Sequence, residues 1–308
     1  MPDVEIRPFS DEHLDAAAAL LAERHERHLA AEPLLGRDVD YRAQVERDLQ
    51  AEGASGAAAV AGGELVGYLV GRTTEEEDCL VDFAGFAAHE PEVIRDLYAH
   101  LSEAWVDAGF VRHRAHVPAT DAAAIDAWFR LAFGRQLTFG AREIRPAPTA
   151  TRDVTVRAAR EDELEEAAAL GSQMHLHHRR PPSFSARQTI SDDEYREWWV
   201  DSWAKPEFIH FVAERAGRLV GQLLLYQRPP EDLRVPANSI DLAHSVTLAD
   251  ERGSGVGVAL TEHAFAWAHD AGYTAMTVDW REVNLLASRF WPRRGFRPTF
   301  LRLYRRVP

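Results

Sequence analysis

The chain has 308 residues, about two ordinary domains, and its 46% hydrophobic content suffices for packed cores. Its 35 Lys and Arg against 49 Asp and Glu give a formal charge of -14, which disfavours nucleic-acid backbones because no long basic stripe is present. A single cysteine, Cys79, excludes an intrachain disulfide and a cysteine zinc cluster; with no secretory pattern in MPDVEIRPFS and no run of about 18 uncharged apolar residues, a soluble cytoplasmic protein away from membranes is expected.

In chain order, residues 4–7 read as a short strand and 11–28 as a helix behind an acidic first turn. The residues after this helix read as a linker. Runs 57–60 and 65–70 flank Ala61-Gly62-Gly63-Glu64, a hairpin signal. A third strand is expected over 79–86. Pro91 opens a helix carrying Val93, Leu97, Leu101 and Trp105, with Gly109 as its stop. Residues 111–117 look extended, 121–131 helical, and 136–144 like a closing strand.

The second half repeats this order. Val154-Thr155-Val156-Arg157 corresponds to Val4-Glu5-Ile6-Arg7, and the helical run 161–170 corresponds to the early helix. Gly217-Arg218-Leu219-Val220-Gly221 mirrors Gly63-Glu64-Leu65-Val66-Gly67 between strands 208–214 and 219–226. Asp107-Ala108-Gly109-Phe110 faces Asp270-Ala271-Gly272-Tyr273, and Trp128 faces Trp291. An internal repeat explains the length better than two unrelated domains do. Pro146 and Pro148 among small residues mark a short, fairly stiff linker, so the expected division is 1–145, linker 146–152, and 153–308.

Trp198, Trp199 and Trp203 lie on an expected helix, where they serve either as packing against a sheet or as a mobile lid or the wall of an acceptor pocket. His175, His177, His178, Arg179 and Arg180 lack a partnered ligand set, so no metal site is expected and the row reads as a solvated helix end.

The strongest chemical feature follows the strand-like run 238–247. The sequence Arg252-Gly253-Ser254-Gly255-Val256-Gly257 leads into a helix whose apolar face includes Val256, Leu260, Ala264, Trp267 and Ala268. A strand passing through glycines into a helix leaves backbone N–H groups free and lets a bulky anion approach; a pyrophosphate is the natural guest. No Gly-Lys-Ser/Thr follows, which disfavours ATP, and the even glycine spacing departs from G-x-G-x-x-G. A glycine-eased helix start without a ligand is the bland alternative. Beyond it, 274–280 looks like a strand, 284–290 helical, and 299–304 like a last strand.

Here the sequence resembles the GNAT (GCN5-related N-acetyltransferase) superfamily. Arg252, Gly255 and Gly257 match its Arg/Gln-x-x-Gly-x-Gly/Ala loop, and Asn284, Ala287, Phe290-Trp291 and Gly295-Phe296 match its later signature. The resemblance covers residues 154–307 well, and it implies an α/β (α+β) chain of two tandem domains. Each would be a mixed, mostly antiparallel sheet flanked by helices, the first a degenerate copy. In that copy Ala88-His89-Glu90-Pro91-Glu92-Val93 stands where the glycine loop should be; an acidic, glycine-free turn repels a pyrophosphate.

The resemblance further implies acetyl-CoA as co-substrate, held by Val246, Thr247, Arg252, Gly253, Ser254, Gly255, Val256, Gly257 and Val258, with Asn284, Ala287 and Trp291 near its arm. The implied reaction is acetylation of the primary amine of a small molecule, which requires an uncharged amine and hence a base. Asp241, then His244, is the expected base; their odd separation puts them on opposite faces of a regular strand, and the family's usual bulge in this strand would bring either one to the cleft. The family's acid tyrosine is replaced by Trp291, whose indole only donates hydrogen bonds, with Tyr226 and Tyr273 as weaker substitutes. The competing reading is an acyl-CoA-binding regulatory or interaction protein with reduced catalysis. Neither the acceptor nor the oligomeric state is legible in the sequence.

Overall fold

The computed structural model describes residues 4–74, 78–145, 153–184, 191–229 and 233–308. The first half runs through β1 (Glu5–Pro8), α1 (Leu14–Ala31), α2 (Tyr41–Gln50), β2 (Ala54–Ala61), β3 (Glu64–Thr73), β4 (Asp78–Val81) and β5 (Phe86–Ala88). It continues with α3 (Pro91–Asp107), β6 (Arg112–Pro118), α4 (Ala122–Arg130) and β7 (Gly134–Glu143). The second half has β8 (Thr155–Ala158), α5 (Leu164–His178), α6 (Asp192–Trp203), β9 (Phe208–Arg215), β10 (Arg218–Tyr226) and β11 (Ser239–Thr247). It ends with α7 (Val256–Asp270), β12 (Ala275–Arg281), α8 (Ala287–Arg293) and β13 (Arg297–Arg306). Apart from the β4–β5 break, the two halves share one order of elements, as the repeat in the sequence implies.

Two sequence expectations need correction. The supposed linker after the first helix contains α2: the Asp40 carboxylate accepts from the Ala43 N–H at 2.9 Å and caps it, while Val45 is completely buried. The apolar series Tyr41, Val45, Leu49 was its sequence signal. The single strand expected over 79–86 is two strands, because the chain turns after β4 with Gly85 N–H bonded to Asp82 O at 2.9 Å. The Arg24 guanidinium, buried, fixes this turn by donating to the Phe83 and Phe86 carbonyls.

Two compact units account for the described residues. One draws on Met1–Phe139, Glu231–Arg234 and Pro298–Pro308, the other on Gly140–Pro230 and Val235–Arg297. A single cut at 146–152 therefore misplaces both closing strands: the end of β7 belongs to the second unit and nearly all of β13 to the first. The expected linker 146–152 itself lies outside the described residues.

In the first unit the strand order is β1-β2-β3-β4-β6-β13 and then the start of β7, with β5 beside β3; β4 and β6 pair in parallel. Phe300 packs with the α1 and α2 residues Leu21 and Val45 on one face, and Leu301 and Leu303 with the α3 residues Leu97 and Leu101 on the other. Burying these three β13 side chains contributes on the order of 5 kcal/mol, at about 1.5–3 kcal/mol each.

In the second unit the end of β7 lies beside β12, followed by β11, β10, β9 and β8. Ile144 N–H bonds Thr274 O at 2.9 Å, and Glu143 accepts from both Arg297 terminal nitrogens at 2.9 and 3.0 Å. The pair β11–β12 is parallel, whereas β8–β9, β9–β10 and β10–β11 are antiparallel. Leu223, Leu225, Ile240 and Leu242 face Val256, Leu260 and Ala264 of α7; Leu224 faces Ala168 of α5 and Trp199 of α6.

Candidate active site

Strand β11 is irregular where the candidate chemistry lies. Leu225 pairs with Leu242 but Leu224 pairs with His244, so Ala243 is an extra residue, a β-bulge. The bulge cancels the odd spacing. Asp241 lies opposite Tyr226 and His244 opposite Leu224, two positions apart on β10, so both side chains share the face covered by α5 and α6. Registers with β9 and β11 arrange that face in rows: Phe208, Tyr226, Asp241; then His210, Leu224, His244; then Val212, Gln222, Val246.

The same place marks a parting of strands. The parallel register of β11 with β12 covers Ser239–Leu242 against Ala275–Val278 and ends there, although both strands continue. Beyond Leu242 the β12-side edge of β11 continues outside that register, which suits an extended ligand carrying amides.

Asp241, 3% exposed, is fully engaged. Its Oδ2 accepts from Arg228 Nη2 at 2.7 Å and its Oδ1 from Thr277 Oγ1 at 2.6 Å. Sequence reasoning missed Arg228 and Thr277 because they lie on other segments. His244, 5% exposed, meets Trp199 edge-on at 5.6 Å between centroids. Burial, reinforced by His175, His178 and His210, pushes its pKa down to about 3.

The histidine row is not a solvated helix end. His175, His177 and His178 are half-buried, and Asn284 Oδ1 lies 3.1 Å from His177 Nε2 and its Nδ2 3.5 Å from His178 Nε2. Burial lowers His178 to about 4, helped by the Arg281 charge, and lowers His210 to about 4. Asn284 Oδ1 also accepts from Leu286 and Ala287 N–H at 3.2 and 3.3 Å, capping the start of α8. No group of three or more His, Cys, Asp or Glu suited to a metal ion occurs among the described residues.

At the other end of β11, the loop turns into α7 through Gly255, whose φ of 94° is the left-handed region that favours glycine. Arg252, Gly253 and Ser254 are exposed, Gly257 and Val258 half-buried, and Val256 is buried in the core. The first N–H groups of α7 have no partner within the helix, and its dipole favours an anion. Local acidity is offset: Arg218 pairs with Asp250 at 3.0 Å and Arg215 with Glu251, while Arg215 also donates to Ser254 Oγ at 3.1 Å. A Cβ on Gly257 would meet Thr247 Oγ1 at 3.6 Å and the Phe290 ring at 3.7 Å, ordinary contacts. Val246 is buried against Leu170, and Ala287 packs on the core beside Trp291.

Trp291 is 7% exposed and edge-on to Phe290 and Phe296 at 4.9 and 5.6 Å, so it packs the core. Tyr273 follows the far end of the 15-residue α7, about 22 Å from the glycine loop at ~1.5 Å per residue. Tyr226 stacks on Phe208 at 4.7 Å and is covered by the Arg228 guanidinium at 5.5 Å.

Residues 173–296, which include the glycine loop, the bulged strand and the Asn284 cap, match the family model described as Acetyltransferase (GNAT) family. Over these residues the chain is similar to the GNAT family. No curated protein matches the sequence. A GCN5-related N-acetyltransferase from Sphaerobacter thermophilus is similar in structure, with 17% identity, a TM-score of 0.66, and coverage of 100% of this chain and 98% of that one. A tandem GNAT protein from the clavulanic acid biosynthesis pathway gives 15%, 0.54, and 98% and 97%. A GNAT-family acetyltransferase from Colwellia psychrerythraea gives 12%, 0.56, and 99% and 100%. At these identities the likeness is one of fold.

Compared with the glycine loop at Arg252–Gly257, the corresponding turn of the first unit is built differently. There α3 starts at Pro91 behind Glu90, with Glu92 in the first turn held by Arg95 and Arg130. Among the described residues, no helix is long and apolar enough to cross a membrane.

Proposed function

We propose that the chain is a cytoplasmic N-acetyltransferase that moves an acetyl group from acetyl-CoA to the primary amine of a small molecule. One observation carries the reading: the pairing of β11 with β12 ends at Leu242, and from there the edge of β11 runs on through Thr247 to the left-handed Gly255 start of α7. The exposed backbone at 252–254, the open space at Gly253 and the paired acids at 250 and 251 fit a pyrophosphate.

When bound, acetyl-CoA supplies an activated thioester. The N–H groups of residues 256–258 would hold its pyrophosphate with Arg252 alongside, and the edge of β11 through Val246 and Thr247 would bond its amide-bearing arm. Asn284 and Ala287, joined at the start of α8, would meet that arm, with Trp291 packed in the core behind them. His244 is neutral at pH 7 and too weakly basic to retain a proton, so its role is to accept a hydrogen bond that orients the amine, with water as the proton's destination. Asp241 positions Arg228 and Thr277 in the row next to it. The thiolate leaves without an acid from Trp291, which the low pKa of a thiol, about 8.5, permits.

Release of free thiol from acetyl-CoA, recorded with a panel of small amines and with mass spectrometry of the products, tests this. Amine-dependent release with a 42-dalton gain on the amine, a gain of about that size being one acetyl group for one hydrogen, is expected. Tight acetyl-CoA binding with no transfer to any amine supports instead an acyl-CoA-binding regulatory protein, a reading favoured by the engaged Asp241 and the buried Trp291.

A further inference from the structure

The hairpin between β9 and β10 ends at the glycine loop. Its two-residue turn has positive φ at both positions, 50° at Ala216 and 75° at Gly217, and Arg215 and Arg218 stand directly opposite each other across it, on one face. That face is the one covered by α7, since Phe211 and Ala213 of the same strand pack with Val256 and Leu260. Like charges at facing positions repel, and the turn Ala249–Glu251 before the loop supplies the balance: Arg218 pairs with Asp250 at 3.0 Å and Arg215 with Glu251.

Arg215 is held more firmly than its neighbour. Its Nε donates to the Asp153 carbonyl at 3.0 Å, and its Nη1 donates to Glu251 and, at 3.1 Å, to Ser254 Oγ in the glycine loop. Its side chain is 26% exposed, against 56% for Arg218. Nη2 makes no hydrogen bond among the described residues. The outer N–H groups of the fork are thus fixed in place by the inner ones, and an anion that reached them would cost little side-chain entropy. The approach is open, because nothing lies within 4 Å of where a side chain on Gly253 would begin. At the hairpin end and the loop, Arg215, Arg218 and Arg252 outnumber Asp250 and Glu251, an excess of positive charge on a chain of net -14.

We propose that Arg215 binds the phosphate carried on the ribose of acetyl-CoA, and so makes the second unit select CoA over dephospho-CoA. The proposal rests on acetyl-CoA occupying the glycine loop, the reading given above. In that reading the pyrophosphate takes the N–H groups of residues 256–258 and the arm follows the β12-side edge of β11. The hairpin lies on the other side of β11, where Gly221 pairs with Thr247, so the end of the ligand farthest from the thioester falls toward Ser254 and Arg215. The competing cations are Arg289 and Arg293, exposed on α8, whose Phe290 lies beside Gly257.

Titration calorimetry of the full-length protein with acetyl-CoA and with acetyl-dephospho-CoA tests this. The wild type should bind acetyl-CoA about tenfold more tightly, and Arg215→Gln should bring that ratio to within about twofold of unity. Arg215→Lys, which keeps the charge and loses the fork, should retain part of the ratio. A merely structural Arg215 would weaken both ligands alike in Arg215→Gln and leave the ratio at its wild-type value, which overturns the proposal. Equal affinity of the wild type for the two ligands overturns it whatever the variants do, while acetyl-CoA binding itself stands. A ratio lost in Arg289→Ala or Arg293→Ala and kept in Arg215→Gln also overturns it and moves the phosphate to α8. If the wild type binds neither ligand, the acetyl-CoA reading falls and the proposal with it.

Discussion

Asp241 and Arg228 meet at 2.7 Å, and the carboxylate is 3% exposed. A carboxylate in that position is a structural anchor before it is a base. Asp241→Asn should therefore destabilise the fold by about 1–3 kcal/mol through loss of a charged hydrogen bond, seen in urea unfolding, and should lower turnover without altering the shape of its pH profile. A normal unfolding midpoint with loss of one limb of the profile would restore Asp241 as the base.

Gln222, 2% exposed, sits between Val212 and Val246, and neither of its amide atoms has a hydrogen-bond partner in the structure. An unsatisfied buried amide costs about 1–3 kcal/mol, so Gln222→Leu should raise the unfolding free energy. The same variant should lose transfer activity if the amide serves a ligand in the neighbouring row. A lower melting temperature would show that water satisfies the amide.

The exchanged closing strands predict how the chain can be divided. A fragment beginning at Val154 loses the Ile144–Thr274 bond and the Glu143–Arg297 pair and carries β13 without β6. It should be poorly soluble, whereas a fragment of residues 140–297 should give the more cooperative thermal transition. Equal behaviour of the two in light scattering and calorimetry would contradict this arrangement.

Stability should respond to acid in two opposed ways. His28 and His244 are each lowered from 6.5 to about 3 by burial, so the unfolded chain binds more protons between these values and stability falls as pH drops through them. Asp48 is raised from 3.8 to about 7, so the folded chain binds the extra proton and that contribution is lost as pH rises from about 4 to 7. Asp48→Asn should therefore steepen the rise of melting temperature with pH in that window, and an unchanged slope would refute the assignment.

Much of this was legible in the sequence because it is written in local patterns. The glycines at 253, 255 and 257 announce the α7 start, and the repeated strand and hairpin segments announce the tandem order. Helix α2 was legible but overlooked, since Tyr41, Val45 and Leu49 repeat every four residues. The bulge at Ala243 has no local signature; it depends on the register with β10, and it puts Asp241 and His244 on one face, as the family resemblance implied and their odd spacing alone did not. Arg228 and Thr277, and the contact of Asn284 with His177, join distant segments, which no spacing rule reports. Exchange of β7 and β13 is likewise a tertiary choice, because either strand has the pattern to close its own half.

The central claim is that one acetyl-CoA binds per chain, at the glycine loop of the second unit. Calorimetric titration of acetyl-CoA into the wild type and Gly257→Ala tests it most directly, because the structure has room for that methyl group and folding should be unaffected. The account predicts a stoichiometry of one, affinity reduced roughly tenfold in the variant by the lost approach of an anion, about 1.4 kcal/mol, and no effect of Glu90→Ala. Two equivalent sites per chain, or unchanged affinity in Gly257→Ala with weakening in Glu90→Ala, would contradict it.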